Sequence, residues 1–182
     1  VSDSVGVWCD RLEKQNSNFA KDQPYVVLVS IDGFRHDYIA KYKAQNLQQL
    51  KDAGASVSKM IPSFPSKTFP NHYTIVTGMY PANHGLVSNG FYSRSKKQSY
   101  SIRNKEVVQD GSWYGGIPLW ALAEQQGMLS ASYFWVGSEA EIANERPSYF
   151  EEYDGSVSNE LRVQGVLDWL NFDEEERPHM IT

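Results

Sequence analysis

The length, composition and charge of this chain are those of a single globular domain. Its 182 residues, of which 41% are hydrophobic and 13% aromatic, can build a sizeable core and are too apolar for a disordered segment. The net charge of −5 offers no basic surface for nucleic acid, and no apolar run reaches the length of about 18 residues that spans a membrane. We therefore expect neither sequence-specific nucleic-acid binding nor a membrane span in this chain.

The N-terminal region carries little pattern. Residues 1–24 are polar, and we interpret them as an N-terminal arm. The chain begins at Val1 without a methionine or an apolar leader, which fits a protein whose signal peptide has been removed. Cys9 is the single cysteine, so no disulfide can form within this chain, and composition alone leaves the compartment open.

The first predicted strand is the most hydrophobic one. Residues 25–31 form a short, continuous, β-branched run, which is typical of a strand buried on both faces. Asp37 then suits the N-cap of a helix with one apolar face that continues to about Ala53, where Gly54 would end it. A second strand is predicted at about residues 55–60.

The remaining elements alternate between helix and strand. Residues 61–70 are too rich in proline for a regular element, but Pro70 can occupy the first turn of a helix that continues to about Thr77. The turn-rich residues 83–116 indicate a small hairpin. Further helices are predicted at residues 118–126 and 157–170, and further strands at 129–136 and from 180. This alternation predicts an α/β fold with a mostly parallel sheet and helices on both faces.

Asp32 is the first candidate for chemistry. It stands at the carboxyl end of the first predicted strand, where ligands of open α/β sheets bind and where metal-binding or catalytic carboxylates often lie. The alternative is an ordinary turn, because Asp-Gly is a common turn pair.

Thr68 is the second candidate. It precedes Phe69 and Pro70 at a predicted helix N-terminus, where free backbone N–H groups and the helix dipole favour an anion. Its hydroxyl could attack a phosphorus atom if a base or a metal, for example one held by Asp32, activated it. The alternative is that Thr68 only caps the helix.

Asn89 is the third candidate, and the histidines are weaker ones. The Asn89 amide could donate to a phosphoryl oxygen, although Asn-Gly is also a common turn signal. We expect none of the histidines to be a metal ligand, and His72 to be a hydrogen-bonded structural residue. The four histidines are His36, His72, His84 and His179.

Most aromatic residues are expected in the core, since strand and helix patterns include them. Phe69 differs because its neighbour Thr68 would place it at the mouth of the site, where it could stack on a flat ring.

Several segments together resemble the nucleotide pyrophosphatase/phosphodiesterase family of the alkaline phosphatase superfamily. Their order and spacing extend through nearly the whole chain from about Tyr25. They are SIDGFR at residues 30–35, FPSKTFPNHY at 64–73, VTGMYP at 76–81, HGLVSN at 84–89, FWVGSE at 134–139, YDGS at 153–156 and ERPH at 176–179.

The resemblance implies an alkaline phosphatase-like fold and a site with two zinc ions. Asp32 would be a zinc ligand, and Thr68 both a ligand and the nucleophile that forms a phosphothreonine intermediate. Asn89 would bind the phosphoryl oxygen, Phe69 and Tyr153 would flank the base of a nucleotide substrate, and Trp135 would line the same pocket. The remaining zinc ligands are expected beyond Thr182, so residues 25–182 are interpreted as the N-terminal part of a catalytic domain.

The resemblance also implies a biological setting and leaves alternatives open. Relatives work outside the cytoplasm, so a periplasmic or secreted location is expected. Threonine at position 68 argues against a sulfatase, which needs cysteine or serine there. A phosphomonoesterase, a phosphonate hydrolase or a lipid phosphodiesterase could use the same framework. An inactive fragment that only binds nucleotide or phosphate is the further alternative.

Overall fold

The computed structural model describes residues 14–182, so Cys9 and the first part of the arm predicted over residues 1–24 lie outside the described residues. The strands of this range are β1 (Val26–Val27), β2 (Gly90–Ser93), β3 (Gln98–Ser101), β4 (Ser130–Tyr133), β5 (Tyr149–Glu151) and β6 (Met180–Ile181). The α-helices are α1 (Asn18–Lys21), α2 (Tyr38–Lys41), α3 (Gln45–Ala53), α4 (Thr68–Thr77), α5 (Pro81–His84), α6 (Lys105–Val108), α7 (Leu119–Gln125) and α8 (Asn159–Leu170). A 3-10 helix spans Gly111–Trp113.

A parallel sheet forms the centre of the fold. Its strand order is β1-β6-β4-β5, and each pairing is parallel. β2 and β3 form a separate antiparallel hairpin, in the region where the turn-rich sequence indicated one. The predicted α/β class with a mostly parallel sheet is confirmed.

Helices cover both faces of the sheet at β4. The Ser130 hydroxyl donates to Glu124 of α7, whereas the next residue, Ala131, packs with Trp169 of α8. Because successive residues of a strand point to opposite faces, α7 and α8 lie on opposite sides of β4. The central strand is therefore buried on both faces, as the alternating pattern of helices and strands predicted.

The first strand is shorter and more exposed than the sequence indicated. Its pairing with β6 covers Val26 and Val27, which are 49% and 45% exposed, and Val29 beyond them is 74% exposed. β1 lies at one edge of the sheet, and within residues 14–182 no strand pairs with its other side. The expected burial on both faces is wrong because an apolar run identifies a strand but not its neighbours.

The single helix predicted after Asp37 is two short helices. A break at Lys43, whose φ of +51° is in the left-handed region, separates α2 from α3. The Asp37 carboxylate does not cap α2, because it pairs with Arg35, and this pairing lowers the pKa of Asp37 to about 2. Neither helix fully buries a residue, and the predicted apolar face is at most half-buried, with Tyr38 packed against the Phe34 ring.

The second predicted strand, at residues 55–60, does not form. Val57 and Met60 are 78% and 67% exposed. This segment has the composition of a strand, but no described strand runs beside it to supply the hydrogen bonds of a sheet.

The main core lies beside the sheet and is largely aromatic. Tyr114 donates to the carbonyl oxygen of Val108 at 2.7 Å, and its oxygen lies 3.0 Å from that of Tyr100. Burial raises the pKa of Tyr100 to about 12, so both hydroxyls remain neutral donors. Tyr73 and Val76 belong to α4, so this core anchors the helix that begins at Thr68. The buried members are Tyr73, Val76, Leu86, Tyr100, Val108, Trp113, Tyr114, Trp120, Ala121, Trp135, Val136, Ala140 and Ile142.

A buried carboxylate joins α7 to two strands. The Glu124 side chain is 2% exposed. Its Oε1 accepts from the backbone N–H and the hydroxyl of Ser130, each at 2.8 Å, and from the same groups of Ser148 at 2.9 and 2.8 Å. Lys14 donates to Oε2 at 3.3 Å. These bonds fasten β4, and the residue that precedes β5, to α7.

Candidate active site

The parallel sheet brings the carboxyl ends of its strands to one edge, which is where open α/β sheets bind ligands. Asp32 follows β1, Trp135 follows β4 and Tyr153 follows β5. Three of the site residues predicted from the sequence therefore start from the same edge, although they are widely separated along the chain.

Helix α4 forms close to its predicted position. Pro70 is buried in the first turn, where a missing N–H costs nothing, and Gly78 ends the helix with a φ of +66°. The Gly78 N–H donates to the carbonyl oxygen of Thr74, as in a helix that stops at a left-handed residue. The helix starts at Thr68, with Lys67 at the N-cap position.

Thr68 and Asp32 form the centre of the candidate site. The Thr68 hydroxyl donates to Asp32 Oδ2 at 3.2 Å. The Thr68 side chain is thus directed at the carboxylate, and the N-cap position belongs to Lys67. Asp32 is exposed and Thr68 is half-buried, so a ligand can reach both oxygens.

Asn89 is bound to the first turn of α4. The backbone N–H of Phe69 donates to Asn89 Oδ1 at 3.0 Å. Because an N–H group must meet the oxygen of the amide, this bond leaves the Asn89 NH2 group as a donor to other groups. Asn89 directly precedes β2, and the hairpin turn lies at residues 94–97.

The same bond reduces the number of free donors at the start of α4. Phe69 gives its N–H to Asn89, and Pro70 has none to give. An anion at this helix terminus would therefore meet fewer backbone N–H groups than the sequence suggested, with the Asn89 NH2 group available nearby.

His72 adds a second set of contacts to the helix start. Its Nδ1 lies 2.8 Å from the carbonyl oxygen of Thr68, and its Nε2 lies 2.9 Å from the hydroxyl of Ser30. Trp135 Nε1 donates to the carbonyl oxygen of His72 at 3.2 Å. His72 is hydrogen-bonded, as the sequence analysis expected, but its place beside Thr68 was missed. Its position one helical turn after Thr68 was the signal that could have found it.

The aromatic candidates occupy different surroundings. Phe69 is half-buried, with its ring 6.4 Å from that of Tyr100, and Trp135 is 8% exposed against α4. Tyr153 is 67% exposed, and its ring meets the edge of Phe134 at 5.3 Å. Within residues 14–182 no hydrogen bond or ring contact joins Tyr153 to the Asp32, Thr68 and Asn89 group.

Phe134, next to Trp135, has a backbone conformation that the sequence did not predict. It has a φ of +70°, which is unusual for a bulky residue and marks a strained backbone at the end of β4. The Arg162 guanidinium lies over the Phe134 ring, with its central carbon 4.9 Å from the ring centre. The sequence carries no signal for this conformation, because strain of this kind is imposed by packing.

The candidate metal ligands are few. In the described part of the chain, no group of three or more His, Cys, Asp or Glu side chains converges in a way that could hold a metal ion. Asp32 and Thr68 offer one carboxylate and one hydroxyl to such an ion.

Comparison with known proteins defines the class. The model of the type I phosphodiesterase/nucleotide pyrophosphatase family matches residues 26–182. The chain therefore belongs to this family.

Individual relatives agree with the family assignment. The chain is 38% identical over 176 residues to human ectonucleotide pyrophosphatase/phosphodiesterase family member 1, covering 96% of this chain and 19% of that protein. It is also 38% identical over 163 residues to the venom phosphodiesterase CdcPDE of Crotalus durissus collilineatus, covering 88% of this chain and 20% of that protein.

A solved structure shows the same fold. Murine ectonucleotide pyrophosphatase/phosphodiesterase 5, as an inactive threonine-to-alanine variant in complex with AMP, superposes with a TM-score of 0.81 at 29% identity. The match covers 87% of this chain and 42% of that chain. The chain thus spans about a fifth of the two relatives it was compared with and about two fifths of the solved chain. Among residues 14–182, every helix is too short or too polar to cross a membrane.

Proposed function

We propose that the full-length protein containing this chain hydrolyses phosphodiester and pyrophosphate bonds of nucleotides and releases nucleoside monophosphates. The observation that carries this proposal is the hydrogen bond from Thr68 to Asp32 at the start of α4, in a member of this phosphodiesterase family. A directed hydroxyl at a helix N-terminus combines a nucleophile with a place for an anionic phosphate. The names of the human and venom relatives describe reactions of the same class.

In the proposed reaction, the Thr68 oxygen attacks phosphorus in line with the leaving group. A bond forms between Thr68 Oγ1 and phosphorus as the bond from phosphorus to the leaving oxygen breaks, and the hydroxyl proton passes to solvent. The phosphothreonine formed in this way still carries the nucleoside as an ester on its phosphorus. Water then hydrolyses the bond between phosphorus and Thr68 Oγ1, which releases the nucleoside monophosphate and restores the hydroxyl. The Asp32 carboxylate holds the hydroxyl in a fixed direction before the attack, which lowers the entropy cost of reaching it.

Two zinc ions are part of this proposal, with Asp32 and Thr68 among their ligands. The two oxygens lie 3.2 Å apart. Two ligands bound at about 2.0 Å to a tetrahedral ion are separated by about 3.3 Å, so the pair fits one edge of such a site. Bound zinc would lower the pKa of the hydroxyl and offset the charge that develops on the attacking and leaving oxygens. Two oxygens cannot satisfy two ions, so we expect the other ligands from the full-length protein outside residues 14–182.

Aromatic side chains support a nucleotide as the substrate. We assign Phe69 and Tyr153 to the two sides of the base, and Trp135 to the wall of the same pocket. Phe69 directly follows the proposed nucleophile, and Tyr153 presents an exposed ring at the carboxyl edge of the sheet. The AMP complex of the murine relative supports a nucleoside monophosphate as the recognised group.

The location proposed for the full-length protein is extracytoplasmic, either periplasmic or secreted. The names of the relatives include ectoenzymes and venom enzymes, which act outside the cytoplasm.

Substitutions of Asn89 are expected to separate a catalytic effect from a structural one. Asn89→Ala removes both the proposed phosphoryl donor and the acceptor of the Phe69 N–H, and should lower kcat by about 10²-fold. Asn89→Asp keeps an oxygen for the Phe69 N–H but replaces the donor with a negative charge. We expect Asn89→Asp to lose at least as much activity as Asn89→Ala while its thermal midpoint stays close to that of the wild type.

Steady-state kinetics and thermal unfolding of the two Asn89 variants check this expectation. Wild-type activity in Asn89→Asp would contradict the assignment of the Asn89 NH2 group to the phosphoryl oxygen.

A substrate panel on the full-length protein tests the reaction class. We expect faster hydrolysis of nucleoside triphosphates and dinucleotides than of phosphomonoesters, phosphonates or choline-headgroup diesters. Chelation should abolish turnover, and added zinc should restore it. A preference for one of the other substrates would replace the nucleotide proposal with that alternative. Full activity in the chelated, metal-free protein would contradict the role of zinc.

A further inference from the structure

We propose that His72 is a positioning residue for the Thr68 nucleophile, an inference that rests on the proposed function. The His72 ring makes hydrogen bonds both to the helix turn that carries Thr68 and to the segment that leads to Asp32. Its two nitrogens meet the Thr68 carbonyl oxygen at 2.8 Å and the Ser30 hydroxyl at 2.9 Å.

The hydrogen bonds define the tautomer of the neutral His72 ring. The Thr68 carbonyl oxygen can only accept, so His72 Nδ1 must carry the proton and donate it. In the neutral imidazole, Nε2 then accepts, and the Ser30 hydroxyl is its donor. The chain of donors therefore runs from Ser30 through His72 to Thr68.

These two hydrogen bonds connect the segment that carries Asp32 to the helix that carries Thr68. Ser30 lies two residues before Asp32 on the segment that follows β1, and Thr68 lies one helical turn before His72 on α4. The ring therefore links the backbone near the carboxylate to the backbone of the nucleophile. A change in either hydrogen bond would alter the 3.2 Å separation of the Thr68 and Asp32 oxygens.

The His72 ring is itself held in place. Trp135 Nε1 donates to the His72 carbonyl oxygen at 3.2 Å, and the Trp135 ring meets the His72 ring edge-on at 5.6 Å. Trp135 is 8% exposed and belongs to the main core. The link between Ser30 and Thr68 is thus supported by the core and does not depend on exposed side chains alone.

His84 provides a matched comparison. It is fully buried, accepts from the Leu86 N–H at 3.2 Å and lies 3.0 Å from the Thr74 hydroxyl. His84 also contacts α4, at the Thr74 hydroxyl and at the carbonyl oxygen of Pro70, but no described hydrogen bond joins it to the Thr68 carbonyl oxygen or to Ser30. Loss of His84 should affect folding, whereas loss of His72 should affect turnover.

The experiment measures kcat, KM and the thermal midpoint of full-length variants on a nucleotide phosphodiester. We expect His72→Ala to lower kcat by at least about 30-fold while KM changes by less than about 3-fold, because misplacing a nucleophile slows the chemical step more than binding. His72→Asn retains an N–H close to the position of Nδ1 and should recover at least about 5-fold of the lost kcat. His84→Asn should lower the thermal midpoint and leave kcat unchanged.

Serine variants test the hydrogen bond between Ser30 and His72 without removing the histidine. Ser30→Ala should lower kcat by about 3- to 10-fold, since the bond from His72 to Thr68 remains. Ser95→Ala at the exposed hairpin turn is the control and should leave kcat unchanged. If His72→Ala does not fold, the comparison of Ser30→Ala with Ser95→Ala decides the question.

Two results would overturn the inference. One is a kcat within about 3-fold of the wild type in His72→Ala, and the other is wild-type kcat in Ser30→Ala. The turnover of Thr68→Ala distinguishes failure of the positioning role from failure of the proposed function. If Thr68→Ala is inactive while His72→Ala is normal, only the positioning role fails, whereas full turnover in Thr68→Ala would remove the proposed function itself.

Discussion

Replacing Thr68 by alanine in the full-length protein is expected to lower kcat on a nucleotide phosphodiester by about 10³-fold or more. The substitution removes the oxygen that we propose as the nucleophile, and no covalent intermediate can then form. Folding should be affected little, because the lost hydrogen bond joins a half-buried hydroxyl to an exposed carboxylate. The measurement is steady-state turnover together with a denaturation curve for each variant.

Direct detection of the intermediate strengthens the same test. Acid quenching during turnover, followed by mass spectrometry of the peptides, should find a nucleoside monophosphate bound through its phosphorus to Thr68 in the wild type and none in Thr68→Ala. Thr68→Ser is the matched control, since it keeps a hydroxyl at the same position and should retain part of the activity. Normal turnover in Thr68→Ala would show that another group carries out the attack.

Replacing Glu124 by alanine is expected to lower the free energy of unfolding by about 3–5 kcal/mol. The truncation leaves the buried N–H and hydroxyl groups of Ser130 and Ser148 without the acceptor that they share. Unsatisfied buried donors are costly because they have lost water and gained no partner. Glu124→Gln should cost less, about 1–3 kcal/mol, since one amide oxygen can still accept.

Urea denaturation of the purified protein measures this effect, with the midpoint and the slope compared between variants. Glu145→Gln is the matched control, because Lys14 also pairs with Glu145, whose side chain is 24% exposed. A partly exposed ion pair of this kind should contribute less than about 1 kcal/mol. An equal loss in Glu124→Ala and Glu145→Gln would show that the buried serine contacts add nothing beyond the pairing with Lys14.

Sequence patterns predicted the secondary structure correctly where each helix or strand packs against a neighbouring element. Strands β4 and β6 and helices α7 and α8 formed where the sequence pattern predicted them, because β4 and β6 lie side by side and the two helices pack on the sheet, whereas β5 was not predicted. The region at 25–61 has equally apolar segments, but β1 is an edge strand and Val57 has no strand beside it. Hydrophobic patterns indicate which residues can be buried, but those residues are buried only where a neighbouring strand or helix packs against them.

The candidate site shows the same division. Asp32 at a strand end and Thr68 before a proline-containing helix turn could be recognised in the sequence, since local patterns indicate where strands end and helices begin. Asn89 was weighed against an ordinary turn, and local sequence could not decide between them. The contact with Phe69 was not visible, because it depends on how β2 approaches α4.

The sequence by itself determined the α/β class, the family resemblance and the position of Thr68 at the start of its helix, whereas Asp32 lies in a turn beyond the end of β1 at Val27. These properties follow from residues close together in the chain, such as an apolar run, a proline in a first helical turn and Gly78 at its end. Only the tertiary structure decided that the Thr68 and Asp32 oxygens lie 3.2 Å apart and that the His72 ring reaches Ser30. Such contacts join residues that are distant in the chain, so they depend on strand order and helix packing, which local propensity does not encode.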